Sequence, residues 1–422
     1  MESNKLLNDL FLTMRNDYAG WTAKQARHNP SPFVTMLGQA YYDRRMSSLL
    51  VLQAVNQYCA GMRDRNLSFA LAESESYHPF SRGFTVRRSL EGMFVDGVTQ
   101  ELRLQPGDQV LAINRTAPER IVKNLPNPLL GSDEPEREQW NGYLKMAKHL
   151  TVRHSDGQEE TLELAAYPLD RPAAGFVQLL PGGAVLLNPG CLDDPDAVQR
   201  LIDKNRQLLD GCPRLILDLR RNPGGCEEAL LPLLPYLAHR DATIGELFGD
   251  RRIRTNYTKM NCSRMIHTLR PYLTSADSEV QAMARELIAH YTAMSGQGWV
   301  EETEELCAPA QTMIPRRGPE EVILLTDTWC EKEAELLVQI AHKEGRAFLL
   351  GRPTMGTLDY RTPVQVRYDE FTFTYPMSRT MASCEGHGVD EIGISPDDLV
   401  PWTSLECTQD LLLVRAMQHS FS

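Results

Sequence analysis

The sequence has no CxxC pair, no basic excess, no long apolar run and, at one strand-to-helix turn, no serine. Nine cysteines stand singly, at 59, 191, 212, 226, 262, 307, 330, 384 and 407. A zinc knuckle or a dithiol redox motif is therefore not expected, and neither a metal nor another cofactor is called for. The odd, unpatterned set suits a reducing compartment. Lys and Arg number 44 against 56 Asp and Glu, for a formal net charge of −12. That balance disfavours nucleic acid as the main partner, since phosphate contacts need a basic face. No apolar stretch approaches the ~20 residues of a membrane-spanning helix. The first residues, "MESNKLLNDLFLTMRNDYAG", lack a basic segment followed by an apolar one, the pattern of a secretory signal. A cytoplasmic protein with no membrane partner is the expectation. What is present is ordinary for a globular protein, 42% hydrophobic and 24% charged residues in a chain of 422, long enough for two or three domains.

Three regions differ in pattern. Residues 1–75 read as a helical cap. Leu6, Leu7, Leu10, Phe11 and Met14 fall on one helical face, and "SSLLVLQAVNQYCAGM" predicts a second apolar helix ending near Gly61. Residues 78–166 read as a β-rich domain. "GFTVRR" predicts a short strand, and a Pro106-Gly107 turn precedes a strand over Val110–Ile113. "HLTVRHSDGQEETLELA" predicts a hairpin about Asp156-Gly157, and one helix is expected from Glu136 to Lys148. From 175 to 422 strands and helices alternate, which argues an α/β core on a mainly parallel sheet. "AVLLN", "LILDL", "EVILLT" and "AFLLG" are the strands. Asp194 caps the helix that starts at Pro195, and internal prolines should break up the helix after Cys226. Residues 240–315 are mixed, with an amphipathic helix near Ser278–Met294; lid, oligomer contact and cleft wall all fit them.

Two turns can carry chemistry. "LILDLRRNPGG" ends a buried strand in Gly224-Gly225, where the backbone can approach a ligand and free N–H groups can hold an oxyanion. A plain strand-to-helix turn would read the same way. "TDTWCEKEAELL", residues 326–337, follows an apolar strand and opens a helix, the place where hydrolytic α/β enzymes put a nucleophile. It holds a cysteine, a lysine and three glutamates.

Taken together, "LQPGDQVLAIN", "LILDLRRNPGG", "VILLTDTWCEKEAE", "FLLGRPTMGT" and "GISPDDLVPW" resemble, in order and spacing, the segments of the C-terminal processing (tail-specific) peptidases. With "RDRNLSF" the likeness extends to the tricorn-core-like branch, which includes the interphotoreceptor retinoid-binding protein, a member that keeps the fold and binds ligands without known proteolysis. The resemblance spans roughly 60–422. It implies a crotonase/ClpP-like serine-peptidase core, a PDZ-like domain and peptide or unstructured protein segments as partners. It also implies site residues. The nucleophilic serine falls on Lys332 and the base histidine of the Ser–His branch on Asn66. The base lysine of the Ser–Lys branch falls on Thr357. The orienting acid falls on Asp390, with Glu385 or Glu391 as neighbours that could replace it. Gly224 and Gly225 keep the oxyanion turn.

Acyl transfer needs a nucleophile and an acceptor for its proton. A charged ammonium has no lone pair, an amide cannot shuttle a proton, and losing a triad nucleophile costs on the order of 10⁶ in kcat. The expectation is a non-catalytic peptidase homologue that binds peptides or protein tails in the old cleft and a PDZ groove. The alternative is an active peptidase with a non-standard nucleophile. Cys330 is one candidate, and a Thr357 hydroxyl with Lys332 as base is another. His387, in a glycine-rich loop, is a third source of a base. In the PDZ-like domain, Arg82, Gly83 and Phe84 of "SRGFTV" would form the loop that receives a peptide carboxylate, unless the domain is only a spacer.

Overall fold

The computed structural model describes residues 3–72, 78–125, 134–171, 173–316 and 318–420. The expected boundary between the helical cap and the β-rich region falls in part on 73–77, outside the described residues.

The sheet that positions the candidate site is built from the most apolar runs in the chain. Its six strands lie in the order Asp398–Leu399, Ala347–Gly351, Glu321–Thr326, Arg214–Asp218, Val185–Gly190, Ala174–Leu179. The neighbours are parallel except the last pair. Val322, Ile323, Leu324 and Leu325 are all fully buried, because helices cover both faces of the sheet. Asp194 caps the helix Pro195–Gly211 by accepting from the Ala197 amide, and Val198, Ile202 and Leu209 face the core. Where "CEEALLPLLPYLA" could have made one helix, its prolines leave a 3₁₀ turn, Glu227–Leu230, and a four-residue helix, Leu234–Leu237. The helix Glu333–Glu344 starts within "TDTWCEKEAELL" and is stopped by Gly345 in a left-handed conformation, φ 68°.

A second, antiparallel sheet holds the helical cap. Its spine is Phe371–Thr380, hairpinned with Tyr360–Arg367 and flanked on the other edge by Ser68–Leu71 and Arg252–Tyr257, which pairs with Gly298–Thr303. Phe373, Tyr375 and Met377 meet Leu6, Leu10, Met14 and Tyr58 of the cap in one buried cluster. The helices Ser3–Asn16 and Ser48–Gly61 are those the apolar spacing predicts. Residues 240–315 add two strands to this sheet and a helical pair, Lys259–Leu269 and Ser278–Met294, beside it.

Between cap and core lies a five-stranded antiparallel meander, Phe84–Ser89, Gly92–Val98, Gln109–Ile113, His149–Arg153 and Glu159–Glu163. One long helix over 136–148 does not form. Pro135–Arg137 is a 3₁₀ turn, and the helix is only Asn141–Met146. The break at 138–140 has a non-local cause: the Glu138 carboxylate is buried, taking Arg88 Nε at 2.7 Å and the Trp140 indole at 2.9 Å. Two arginines fasten this region to the core. Arg87 reaches Asp327 at 3.4 Å, and Arg137 donates to the carbonyls of Thr354, Met355 and Ile392.

Candidate active-site cleft

The strand Glu321–Thr326 runs into a turn whose geometry is set by Asp327. This buried carboxylate accepts from the Arg221 and Trp329 amides and faces the Arg87 guanidinium. Burial alone would raise its pKa, but Arg87 and Arg352 overcome that and hold it below the ordinary aspartate value. The turn ends at Lys332, whose backbone adopts φ 52° and ψ −122°. That conformation strains any residue with a Cβ, by about 1–3 kcal/mol. It is held from both sides. The Lys332 amide donates to Thr357 Oγ1 at 2.8 Å, and its carbonyl accepts from the Leu336 amide at 2.8 Å. A sharp, strained turn between strand and helix is what lifts a nucleophile into a cleft; here it lifts an ammonium.

The cleft measures about 600 Å³ and runs between the two sheets. Lys332, Asn66 and Thr357 all line it, with Arg65, Arg361 and Glu331. Three positions far apart in sequence thus converge. Lys332 is exposed and, among the described residues, has no ion-pair partner. The Asn66 amide nitrogen donates to Asp64 Oδ1 at 3.2 Å and to the Thr357 carbonyl at 3.3 Å. Thr357 Oγ1, besides accepting from Lys332, donates to Glu335 Oε2 at 3.0 Å. Its hydroxyl therefore touches the backbone of Lys332.

Glu335 was not singled out by its sequence position, yet it organises the far wall. It is fully buried and accepts from Thr354 Oγ1 and from the amides of Gly356 and Thr357. Burial pushes its pKa up, and these hydrogen bonds oppose the rise.

Gly224-Gly225 faces the turn. Gly224 has φ 85°, and a Cβ on it would lie 2.6 Å from Lys332 Cβ. A Cβ on Gly225 would lie 2.0 Å from the Leu192 carbonyl carbon. Both glycines are therefore demanded by packing as well as by any ligand. The turn is pinned by Asn222, which accepts from the Gly224 amide at 3.0 Å and donates to the Gly190 carbonyl at 2.8 Å. The Gly225 N–H is already taken: it donates to Glu333 Oε2 at 2.7 Å. The chain's own carboxylate occupies the donor that would serve a substrate oxyanion.

The remaining candidates sit elsewhere. Cys330 is fully buried, and burial drives its thiol far above the usual range. Asp390 does not line the cleft. It lies behind it, 2.5 Å from Lys24 Nζ, an ammonium 2% exposed that the helical cap inserts and that also donates to Glu391 and the Arg63 carbonyl. Burial raises the Asp390 carboxyl to about 7, with Lys24 opposing and Asp64 adding to the rise. Glu385 and His387 are exposed. Arg82 donates all five N–H groups to the carbonyls of Leu144, Lys145, Ala147, Leu164 and Ala165. It is a clamp inside its own region. Gly83, at φ 73°, accepts three amides on its carbonyl, and Phe84 is buried.

Comparison with known proteins bears on the family and the fold. The description "Peptidase family S41" matches residues 187–400, and the chain belongs to that family. No curated protein matches the chain. Among solved structures it is similar to mature CPAF complexed with lactacystin, with a TM-score of 0.63 at 14% identity over 99% of this chain and 97% of that one. It is similar to mature CPAF determined separately, with a TM-score of 0.62 at 14% identity over the same shares. Identities this low show the fold alone: an α/β peptidase fold runs the length of the chain.

Proposed function

We propose that this S41-family protein is a non-catalytic homologue that holds peptides or unstructured protein tails in the cleft around Lys332. One observation carries the reading: Glu333 Oε2 sits on the Gly225 N–H at 2.7 Å while Lys332 stands at the adjoining strand-to-helix turn, where the resemblance puts the nucleophile. Oxyanion stabilisation requires a free donor aimed at the developing charge. Here that donor is filled, and the residue at the adjoining elbow is a lysine.

The substitute nucleophiles fare poorly on the same physical grounds. A thiolate at Cys330 would be an uncompensated charge in a dry core. The Thr357 hydroxyl spends its proton on Glu335, so Lys332 has none to abstract. Peptide binding needs no such chemistry, since an extended backbone can be held by main-chain hydrogen bonds along a sheet edge. The PDZ-like reading of 78–166 adds a second sheet edge at Phe84–Ser89.

Casein and unstructured peptides, incubated with wild type, Lys332→Ala and Cys330→Ala, test the proposal. Saturable binding with no turnover in all three is expected. Cleavage by wild type that disappears in either alanine variant would establish an enzyme instead.

A further inference from the structure

We infer that the outer strand of the six-stranded sheet, Ala174–Leu179, pairs with the same strand of a second copy of this chain about a two-fold axis at Val177, joining two sheets into one. The interface does not depend on what the cleft binds.

Backbone chemistry defines the edge. Ala174–Leu179 is hydrogen-bonded on one side only, to Val185–Gly190. The Leu180 amide donates to the Ala184 carbonyl at 2.8 Å, and the register sets Gln178 opposite Leu186 and Phe176 opposite Asn188. Antiparallel ladders alternate, so the even-numbered residues bond inward, while Gly175, Val177 and Leu179 turn N–H and C=O outward. An unpaired row of this kind is a template for another strand.

The side chains leave that template open. No charged residue stands between Arg171 and Asp193. Among the described residues, the other edge strands of five residues or more carry a charge or a proline that blunts them. These are Arg88 on Phe84–Ser89, Glu160 on Glu159–Glu163, Glu302 on Gly298–Thr303 and Pro363 on Tyr360–Arg367. On Ala174–Leu179 the side chains turned to solvent are apolar instead: Phe176 is 44% exposed and Leu179 61%.

The partner is a second copy because the strand is complementary to itself. Rotation about Val177 brings Val177 to Val177 and Gly175 to Leu179, so each outward donor meets an outward acceptor. The same rotation lays Leu179 of the second copy over Gly175, which has no side chain to obstruct it. Gly175 lies against the helix Pro195–Gly211: a Cβ on it would be 2.8 Å from Leu201 Cδ2. An exposed leucine thereby gains an apolar neighbour, and no like charges meet across the axis. The strand contributes no described residue to the cleft, so pairing here leaves the cleft open.

Light scattering of the size-separated full chain, over a concentration series, tests this. The 47.7 kDa chain should run at twice that mass when concentrated and dissociate on dilution. Val177→Pro removes a donor the single chain does not use and blocks the axis; it should run at the single-chain mass with the circular dichroism of wild type. Phe176→Lys alters a side chain already exposed and sets two ammonium groups on one face beside the axis. It should weaken association about tenfold, and it carries the comparison if Val177→Pro does not fold. Phe176→Cys should be joined to itself by a short bismaleimide, as mass spectrometry of the linked peptides would show. A single-chain mass at every concentration would overturn the inference. So would a dimer that Phe176→Lys leaves unchanged, or one in which no link forms at position 176.

Discussion

Glu333 and Gly225, 108 residues apart, are joined by a hydrogen bond of 2.7 Å that closes the oxyanion turn from within. A ligand that uses the Gly225 N–H must displace that carboxylate first. On the proposed reading, the lysine at 332 is one of three obstacles to chemistry, beside the filled donor and the amide at Asn66.

Restoring the hydroxyl alone should not restore activity. In Lys332→Ser the Asn66 nitrogen still donates to Asp64 and to the Thr357 carbonyl, so Asn66 cannot accept the serine proton as an imidazole would. Turnover of casein by this variant should stay at the wild-type background. A clear rise would show that a base lies within reach and that the cleft lacks only its nucleophile.

Lys332→Gly should stabilise the protein. The φ of 52° at this position strains every residue except glycine. Relief of about 1 kcal/mol is expected, read as a higher urea midpoint at unchanged slope. A lower midpoint would mean that the lysine side chain contributes more than its backbone costs.

Arg87 is expected to be essential to the docking of the β-rich region. It is 3% exposed and bridges Asp96 and Asp327. Arg87→Met leaves Asp327 buried without its main counter-charge, at a cost of about 3–5 kcal/mol. Chemical denaturation measures this. A change below ~1 kcal/mol would show the pair to be dispensable.

The Asp390 carboxyl should make stability fall as pH rises. Its ordinary value of 3.8 is raised to about 7 in the folded chain, with burial the largest cause. Between those values the folded state keeps a proton that the unfolded state has released, so this contribution is present at low pH and lost as pH climbs toward 7. Asp390→Asn should flatten that part of the stability profile relative to wild type. An unchanged slope would place the proton on another group of the Lys24 cluster.

Thiol reagents should discriminate sharply between two cysteines. Cys307 is exposed and Cys330 is fully buried with a suppressed thiolate. Under native conditions Cys307 should label quickly and Cys330 only after unfolding, as mass spectrometry of peptides would show. Rapid labelling of Cys330 would reopen its candidacy as a nucleophile.

Strands such as Glu321–Thr326 and Ala347–Gly351 were readable to the residue, because an apolar run bounded by polar turns has one stable place, inside a covered sheet. The Asp194–Pro195 helix start was equally plain, since capping is local chemistry. The single helix over 136–148 failed for the opposite reason. Local propensity favoured it, but Arg88 reaches across 50 residues to claim Glu138. The family resemblance put Lys332 and Asn66 in one cleft, which both line, while Glu335 carried no signal beyond one glutamate among three.

The order of residues, by itself, determined the α/β core, the glycine turn and a lysine rather than a hydroxyl at the strand-to-helix elbow, because these depend on side-chain type and short-range spacing. Folding alone decided that Glu333 would cover Gly225, that Arg82 would be spent on five carbonyls and that Lys24 would enter beside Asp390. Those contacts join elements up to 366 positions apart. They rest on which polar groups are left to satisfy one another once the apolar faces have closed, and no local pattern records that.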